Sequence, residues 1–382
     1  WCNGSNSMLP FGEESFRSLN ITDIKAENIK KILALLRYST GETKRDLAWK
    51  SQLSFSTVSN LCNELKEKGV LSEEKSNDYS VGRNPNKLIF QCHHYCSFCI
   101  DFQQEGTMNL AVVDFGNNFR YRERVSIPKD GEISALLERC KDVYTNLCAS
   151  QEFQDAEFVA SGISIPGIFD HEKSVVVNSS VPFLNGQPLA EMVSSKLGLP
   201  CYVENEANLC ALAVKQSHSD MDNILYLHGS TGLGLGAICD GKLLRGSGGY
   251  AAEISCIPLG DPTLRCPYCG KTGCIENDLS LRGMEMLKEV ISPEQQQKFF
   301  QDRGNRLGKL LSLLINLFDP SSLYIGGPSM ECYEHLKPYV LTQLDCRSSL
   351  NIERGLEICY DPDSVQTIET GICQLIYNNW LP

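Results

Sequence analysis

Cys266-Pro267-Tyr268-Cys269-Gly270-Lys271-Thr272-Gly273-Cys274 sets three thiols in a CxxC…C spacing, with two glycines that let the backbone turn tightly between the second and the third. Cys256 adds a fourth thiol ten positions before Cys266. Four thiolates at such spacing predict a closed tetrahedral site for a structural Zn2+, with Cys256, Cys266, Cys269 and Cys274 as ligands. The competing reading is a set of ordinary buried thiols, because the chain holds 18 cysteines. Most of the others, such as Cys99, Cys210, Cys239 and Cys373, lie in apolar stretches and read as reduced core thiols.

Two further stretches carry groups suited to gripping a ligand. Gly229-Ser230-Thr231-Gly232-Leu233-Gly234-Leu235-Gly236 follows the strand-like Ile224–His228. A glycine at alternate positions lets a hairpin approach phosphate oxygens closely, though glycine-rich hairpins also arise for steric reasons. Glu204-Asn205-Glu206-Ala207-Asn208 ends one strand and opens a helix. Polar groups at the carboxyl end of an α/β strand fall where ligands bind. Asn205 and Glu206 are therefore candidates for holding hydroxyl groups, or else simply cap the helix. Glu253, three residues before Cys256, is either a ligand carboxylate beside the knuckle or a solvated one.

The elements that position these groups fall into two textures. Residues 21–90 read as helices followed by a hairpin, and they carry a formal charge of about +3 against about −14 for residues 91–382. Ile21, Ile24, Ile29, Ile32, Leu33, Leu35 and Leu36 make a first amphipathic helix. A second helix starts at Thr43. Ser54 caps a third, in which Val58, Leu61, Cys62 and Leu65 form the apolar stripe and Gly69 ends the helix. That leaves Ser56, Thr57, Ser59, Asn60 and Asn63 to the exposed face, small hydrogen-bonding groups of the kind a recognition helix offers to base edges. Val70-Leu71 and Lys87–Phe90 read as the strands of a wing, with Arg83 at its tip. A plain helical hairpin with a solvated face is the alternative. Residues 1–20 are set aside as a tail or expression scar.

From about residue 95, strand-like runs alternate with helical ones, which means α/β. The strands expected are Phe98–Asp101, Leu110–Asp114, Phe158–Ile165, Cys201–Glu204, Ile224–His228 and Leu235–Cys239. Helices are expected at Ile133–Leu147, Leu189–Leu197 and 301–318, and the last runs on through Asp319-Pro320 into a strand and the turn Gly326-Gly327. No internal repeat is visible. No apolar run reaches membrane-spanning length and no export signal opens the chain, so the expectation is a soluble, cytoplasmic protein without a membrane partner.

Taken together, these motifs resemble the ROK family (repressors, open reading frames and sugar kinases), and within it the xylose-repressor-like transcriptional regulators. The resemblance covers roughly residues 25–375. It rests on Leu53-Ser54-Phe55-Ser56-Thr57-Val58, Gly82-Arg83-Asn84-Pro85, Ile165-Pro166-Gly167, Glu204–Asn208, the glycine hairpin, Glu253-Ile254, the cysteine knuckle with Glu276, and Ile325-Gly326-Gly327.

The resemblance implies a winged helix-turn-helix over 21–90, followed by a two-lobed, actin-like and hexokinase-like (ribonuclease H-like) domain. Its N-lobe would span 91–204 and its C-lobe 205–382, with the C-terminal helix returning to the N-lobe. It implies sugar hydroxyls held by Asn205, Glu206, Glu253 and Glu276. DNA would be contacted by Ser56, Thr57, Asn60 and Arg83, by a homodimer or tetramer on an operator. Sugar binding would favour one lobe closure and move the winged helices apart.

The departures argue that catalysis is lost. Family kinases carry Asp, the base of phosphoryl transfer, where this chain has Glu206. Their first phosphate loop reads D-x-G-G-T, whereas Asp101 is followed here by Phe102-Gln103-Gln104-Glu105-Gly106-Thr107. Cys256 replaces the usual His, and Ser180 stands where the family often has Asn. The function expected is a sugar-responsive regulator, most simply a repressor of carbohydrate-utilisation genes. The alternatives are a sugar kinase with an appended winged helix and a repressor controlled by a protein partner.

Overall fold

The computed structural model describes residues 21–75, 86–104, 106–127, 132–286, 292–347 and 355–382. The chain divides into two compact units, one ending at Gln91 and taking in Leu381–Pro382, the other spanning Cys92–Trp380.

The smaller unit holds three helices, α1 (Ile21–Arg37), α2 (Lys44–Ser51) and α3 (Phe55–Glu67), and a two-stranded ribbon, β1 (Leu71–Lys75) and β2 (Asn86–Phe90). Thr43 and Asp46 form a capping box that starts α2. Ser54 Oγ accepts the Thr57 N–H at 3.1 Å and starts α3. Ile32, Leu33, Leu36, Leu47, Val58, Leu65 and Leu88 are buried together under these elements. The ribbon pairs Leu71 with Phe90 through Lys75 with Asn86. Glu42 and Leu88 exchange backbone hydrogen bonds of 3.1 and 2.8 Å, so the chain before α2 adds a third edge to the ribbon. Residues 76–85, which include Arg83, lie outside the described residues, as do residues 1–20.

The larger unit contains two five-stranded sheets with one topology used twice. In the N-lobe, β3 (Tyr95–Gln104), β4 (Thr107–Asp114) and β5 (Phe119–Ser126) form an antiparallel meander. Parallel strands β6 (Glu157–Ile165) and β9 (Cys201–Asn205) then join β3, giving the order β5-β4-β3-β6-β9. In the C-lobe, β10 (Ile224–Gly229), β11 (Leu233–Cys239) and β12 (Lys242–Leu243) form the meander. Strands β13 (Ser322–Gly326) and β14 (Glu357–Asp361) run parallel to β10, giving β12-β11-β10-β13-β14. No repeat was visible in the sequence. The structural repeat is one of connectivity, and different apolar residues satisfy the same sheet geometry.

A short pair, β7 (Gly167–Asp170) and β8 (Val175–Ser179), extends from the N-lobe. Helices α4 (Ile133–Ala149) and α5 (Leu189–Leu197) cover one sheet through a core that includes Phe98, Ile100, Leu136 and Ile163. Helices α9 (Pro293–Phe318) and α10 (Tyr333–Arg347) contribute to the second core, which includes Leu225, Leu227, Leu311 and Leu336. The short α7 (Glu276–Leu279) and α8 (Leu281–Glu285) precede them. Helix α6 (Glu206–Ser217) lies on β10 and β11, and α11 (Ser364–Asn379) lies on β3, β4 and β6 and against α6. Arg122 of β5 fastens α11 by donating Nε to the buried Glu369 at 2.7 Å. Strand β14 had no counterpart in the sequence reading, because Glu357–Asp361 has only a short apolar signal.

Candidate functional site

A cleft of about 330 Å³ opens in the larger unit. Its walls come from the starts of β7 and α6, the ends of β8 and β10, the β10–β11 turn, the loop from Glu253 to Cys256, the cysteine knuckle and the start of α7. The strands deliver their carboxyl ends here, where an α/β sheet leaves backbone groups and polar side chains for a ligand. Asn205, Glu206, Glu253 and Glu276 all line it.

Asn205 does two structural jobs at once. Its Oδ1 caps α6 by accepting the Ala207 N–H at 2.8 Å, and its Nδ2 donates to Gly167 O at 2.7 Å. The capping role raised as an alternative is therefore real, and it fixes the amide at the cleft wall. Glu206 follows at the first position of α6 and is only 4 % exposed. Burial, with the Asp101 carboxyl adding to it, holds the Glu206 pKa well above the ordinary carboxylate value, while the Ser230 Oγ–H donated at 3.2 Å opposes this. His228 Nε2 lies 3.6 Å from the same carboxyl. Burial pushes His228 down to about 4, so the imidazole is neutral near pH 7. Its Nδ1 has no hydrogen-bond partner among the described residues.

Glu276 is buried and accepts the Leu233 N–H at 3.2 Å. Desolvation raises its pKa, with the Leu233 N–H opposing and the charge of Glu253 reinforcing the rise. Glu253 is raised by desolvation alone, although its side chain opens to solvent. The site therefore joins three acids of elevated pKa to hydroxyls of Ser179, Ser180, Ser230 and Thr231, without Lys or Arg among its lining residues. Such a set can donate to and accept from a polyol. Sequence reasoning assigned nothing to His228, Ser230 or Tyr268. His228 stood at the end of a recognised strand, which was the one signal available.

The glycine hairpin is explained by close packing. A Cβ on Gly236 would fall 2.0 Å from Ala207 O, and one on Gly229 would fall 2.1 Å from Ser329 Oγ. The turn also uses its own donors: Ser230 N–H bonds to Gly232 O at 2.9 Å, and Leu233 N–H goes to Glu276. Asp101, the residue at the head of the altered phosphate loop, is fully buried with Asn109 Nδ2 3.5 Å away. Glu105 lies outside the described residues.

The four cysteines converge. The sulfurs of Cys256, Cys266, Cys269 and Cys274 all lie within 4.8 Å of one another, and those of Cys269 and Cys274 are 3.4 Å apart. Gly270 and Gly273 take left-handed φ values of 70° and 82°, which folds the knuckle back on itself. The edge of a tetrahedron with metal–sulfur bonds near 2.3 Å is about 3.8 Å, so the group can hold a metal ion. Cys256 and Cys269 also line the cleft, so the knuckle forms part of its wall.

In the smaller unit, Ser56 and Asn60 are exposed on one side of α3. Ser56 Oγ and Thr57 Oγ1 each lie 2.8 Å from Ser54 Oγ, in a small hydroxyl cluster at the helix start. Ser59 and Asn63 accept from Lys44 Nζ of α2 at 3.3 and 2.7 Å, so that part of the supposed outer face is engaged by the neighbouring helix. Asn60 is left as the exposed amide nearest the helix start. Trp49 and Phe55, 80 % and 58 % exposed, flank the α2–α3 turn and were not singled out from the sequence.

A sequence model of the ROK family matches residues 99–345. The xylose repressor of Bacillus subtilis strain 168 is 24 % identical over 362 residues, covering 89 % of this chain and 91 % of its own. The N-acetyl-D-glucosamine kinase of Aliivibrio salmonicida is 32 % identical over 249 residues, covering 56 % of this chain and 80 % of its own. A crystal structure of a ROK family transcriptional regulator, homologous to the E. coli Mlc protein, superposes with a TM-score of 0.78 at 22 % identity, over 93 % of this chain and 96 % of that one.

Proposed function

The chain belongs to the ROK family, and from that premise we propose that it is a sugar-responsive, DNA-binding transcriptional repressor whose kinase chemistry has been lost. The observation that carries this reading is the state of the cleft. Its acids and hydroxyls line one cleft in a set suited to a polyol, while the β10–β11 turn spends N–H groups internally rather than aiming them at phosphate. Phosphoryl transfer depends on positioned donors and a well-placed base. Burial holds the Glu206 carboxyl well above its ordinary pKa, which favours the protonated form, a hydrogen-bond donor to a sugar oxygen rather than a base for its hydroxyl.

In this reading Asn205, Glu206, Glu253 and Glu276 hold sugar hydroxyls. Cys256, Cys266, Cys269 and Cys274 hold a structural Zn2+, whose four-thiolate shell leaves no open position for catalysis. Ser56, Thr57 and Asn60 at the start of α3, with Arg83, contact operator DNA. The protein acts in the cytoplasm as a homodimer or tetramer, which matches two recognition helices to the two halves of a palindrome. Among the described residues no helix is long and apolar enough to cross a membrane. A coupling of about 1–3 kcal/mol between sugar and operator would change operator affinity about 5–150-fold.

The test has two stages. Thermal melting against pentoses, hexoses, N-acetyl sugars and their phosphates, without ATP, identifies a stabilising ligand by linkage. Operator DNA selected from a random library is then titrated with and without that ligand. Release of DNA by the sugar supports the repressor reading. ATP-dependent phosphorylation of the sugar, abolished in Glu206→Gln, would overturn it in favour of a kinase. Operator binding that no sugar changes would point to control by a protein partner.

A further inference from the structure

Tyr268 lies inside the cysteine knuckle, between Cys266 and Cys269, and lines the cleft. Cys266 is 2 % exposed, yet Tyr268 beside it is 65 % exposed. A large aromatic ring left open at a cavity mouth gives up burial that would otherwise stabilise the fold. Among the described residues Tyr268 makes no ring-stacking or cation–π contact, and no hydrogen bond to its hydroxyl is formed. It is also the single Phe, Tyr or Trp among the residues that line the cleft. Glu276, which faces the cleft, and the exposed Arg282 of α8 are charged groups within its electrostatic reach.

A sugar ring has two chemistries. Its hydroxyls need donors and acceptors, and the acids, Asn205 and the hydroxyl side chains offer these. Its C–H faces are apolar and carry small positive charge, which suits the negative face of an aromatic ring. A pocket with polar groups alone would bind water almost as well as it binds a polyol, so an apolar wall is what makes ring binding favourable. We propose that Tyr268 is the stacking wall of the cleft, selecting cyclic sugars by contact with a C–H face, and that the metal-holding knuckle sets its position. This rests on the sugar reading of the cleft.

The metal connection follows from covalent geometry. Tyr268 is bonded directly to Cys269 and lies two residues from Cys266, so two thiols of the four-cysteine group bracket it. Cys266 N–H donates to Lys271 O at 2.7 Å and Gly270 N–H to Cys266 O at 3.0 Å, which closes a tight backbone turn over the segment that carries the ring. Thiolates held by one ion would fix both ends of the CxxC segment, and so fix the backbone that carries the ring.

The experiment uses the full chain with its native metal content. D-xylose, D-glucose and N-acetyl-D-glucosamine, with xylitol and sorbitol as acyclic counterparts, are titrated calorimetrically against the wild type, Tyr268→Phe and Tyr268→Ala. Metal content is read by mass spectrometry under native conditions. The expected result is that Tyr268→Ala weakens the best cyclic sugar about 10-fold, while Tyr268→Phe stays within about threefold. The preference for that sugar over its alditol should shrink in Tyr268→Ala, with metal content and thermal midpoint unchanged in all three proteins. Equal affinity of wild type and Tyr268→Ala overturns the proposal and leaves the sugar reading standing. Tyr268→Phe as weak as Tyr268→Ala also overturns it, because the hydroxyl rather than the ring face would then carry the contact. A wild type that binds none of the five overturns the sugar reading and this proposal with it.

Discussion

Arg245 donates its Nε–H to Glu204 Oε2 at 2.8 Å, and the bond ties the C-lobe to the N-lobe beside the cleft. Glu204 ends the N-lobe strand β9 and is 2 % exposed, while Arg245 follows the last strand of the C-lobe meander. His171 Nε2 stands 3.5 Å from the same oxygen, and Asn208 Nδ2 donates to Oε1 at 2.9 Å. Burial alone would raise the Glu204 pKa. The His171 contact, the Arg245 charge and the Asn208 hydrogen bond outweigh it and hold the pKa at about 2.

Arg245→Met is expected to destabilise the larger unit by about 3 kcal/mol, the low end for breaking a buried pair, since the Arg245 head is partly solvated. The folded pKa of Glu204 lies below its unfolded value of 4.5. The pairing therefore contributes in full above pH 4.5 and is lost as pH falls towards about 2. Urea unfolding at pH 7 and at pH 3.5 checks this. The gap between wild type and Arg245→Met should narrow at the lower pH, and an equal gap at both would contradict it.

Glu206 has the opposite sign. Its folded pKa lies above the unfolded value of 4.5, so its contribution is present in full below that pH and is lost as pH rises from there towards the folded pKa. Glu206→Gln keeps the neutral shape without the titration. Its stability relative to wild type is expected to improve by up to about 1.4 kcal/mol per pH unit across that window. Thermal melts at pH 5 and pH 8 read the difference, and a pH-independent offset would count against a raised Glu206 pKa.

Asn60 is the exposed amide nearest the start of α3, whereas the hydroxyls of Ser56 and Thr57 already interact with Ser54 and Asn63 accepts from Lys44. Asn60→Ala should cost about 1–3 kcal/mol on the selected operator and little on random DNA. Ser56→Ala should cost less. Fluorescence anisotropy with both DNAs measures the ratio. An Asn60→Ala protein with unchanged discrimination would move base reading to another part of the small unit.

Stripping metal from the four-cysteine site is expected to lower the thermal midpoint by about 10 °C, because metal binding and knuckle folding are one equilibrium. Cys274→Ser should reproduce the loss without a chelator. Inductively coupled plasma analysis of the purified protein identifies the ion. A metal-free protein that melts like the native one would rule out a structural role for the site.

Much of this molecule was legible where the signal is local. Caps such as Thr43 and Ser54, the apolar stripe Val58–Leu65, and the thiol spacing are set by interactions within a few residues, and the structure places each where the pattern put it. The glycine hairpin was ambiguous, because a glycine signals close approach without saying what approaches. Only the fold revealed Ala207 and Ser329 as the neighbours. The doubled sheet topology, the Arg245–Glu204 tie, the raised pKa of Glu206, the neutral His228 and the open Tyr268 ring were likewise absent from the sequence reading. Each depends on groups brought together from distant segments, and on how much water the fold removes around them. Short-range sequence determined which residue types were available for metal, sugar and DNA. Tertiary burial decided their charge, their partners and which of them still face a ligand, because desolvation and Coulomb interactions act through space rather than along the chain.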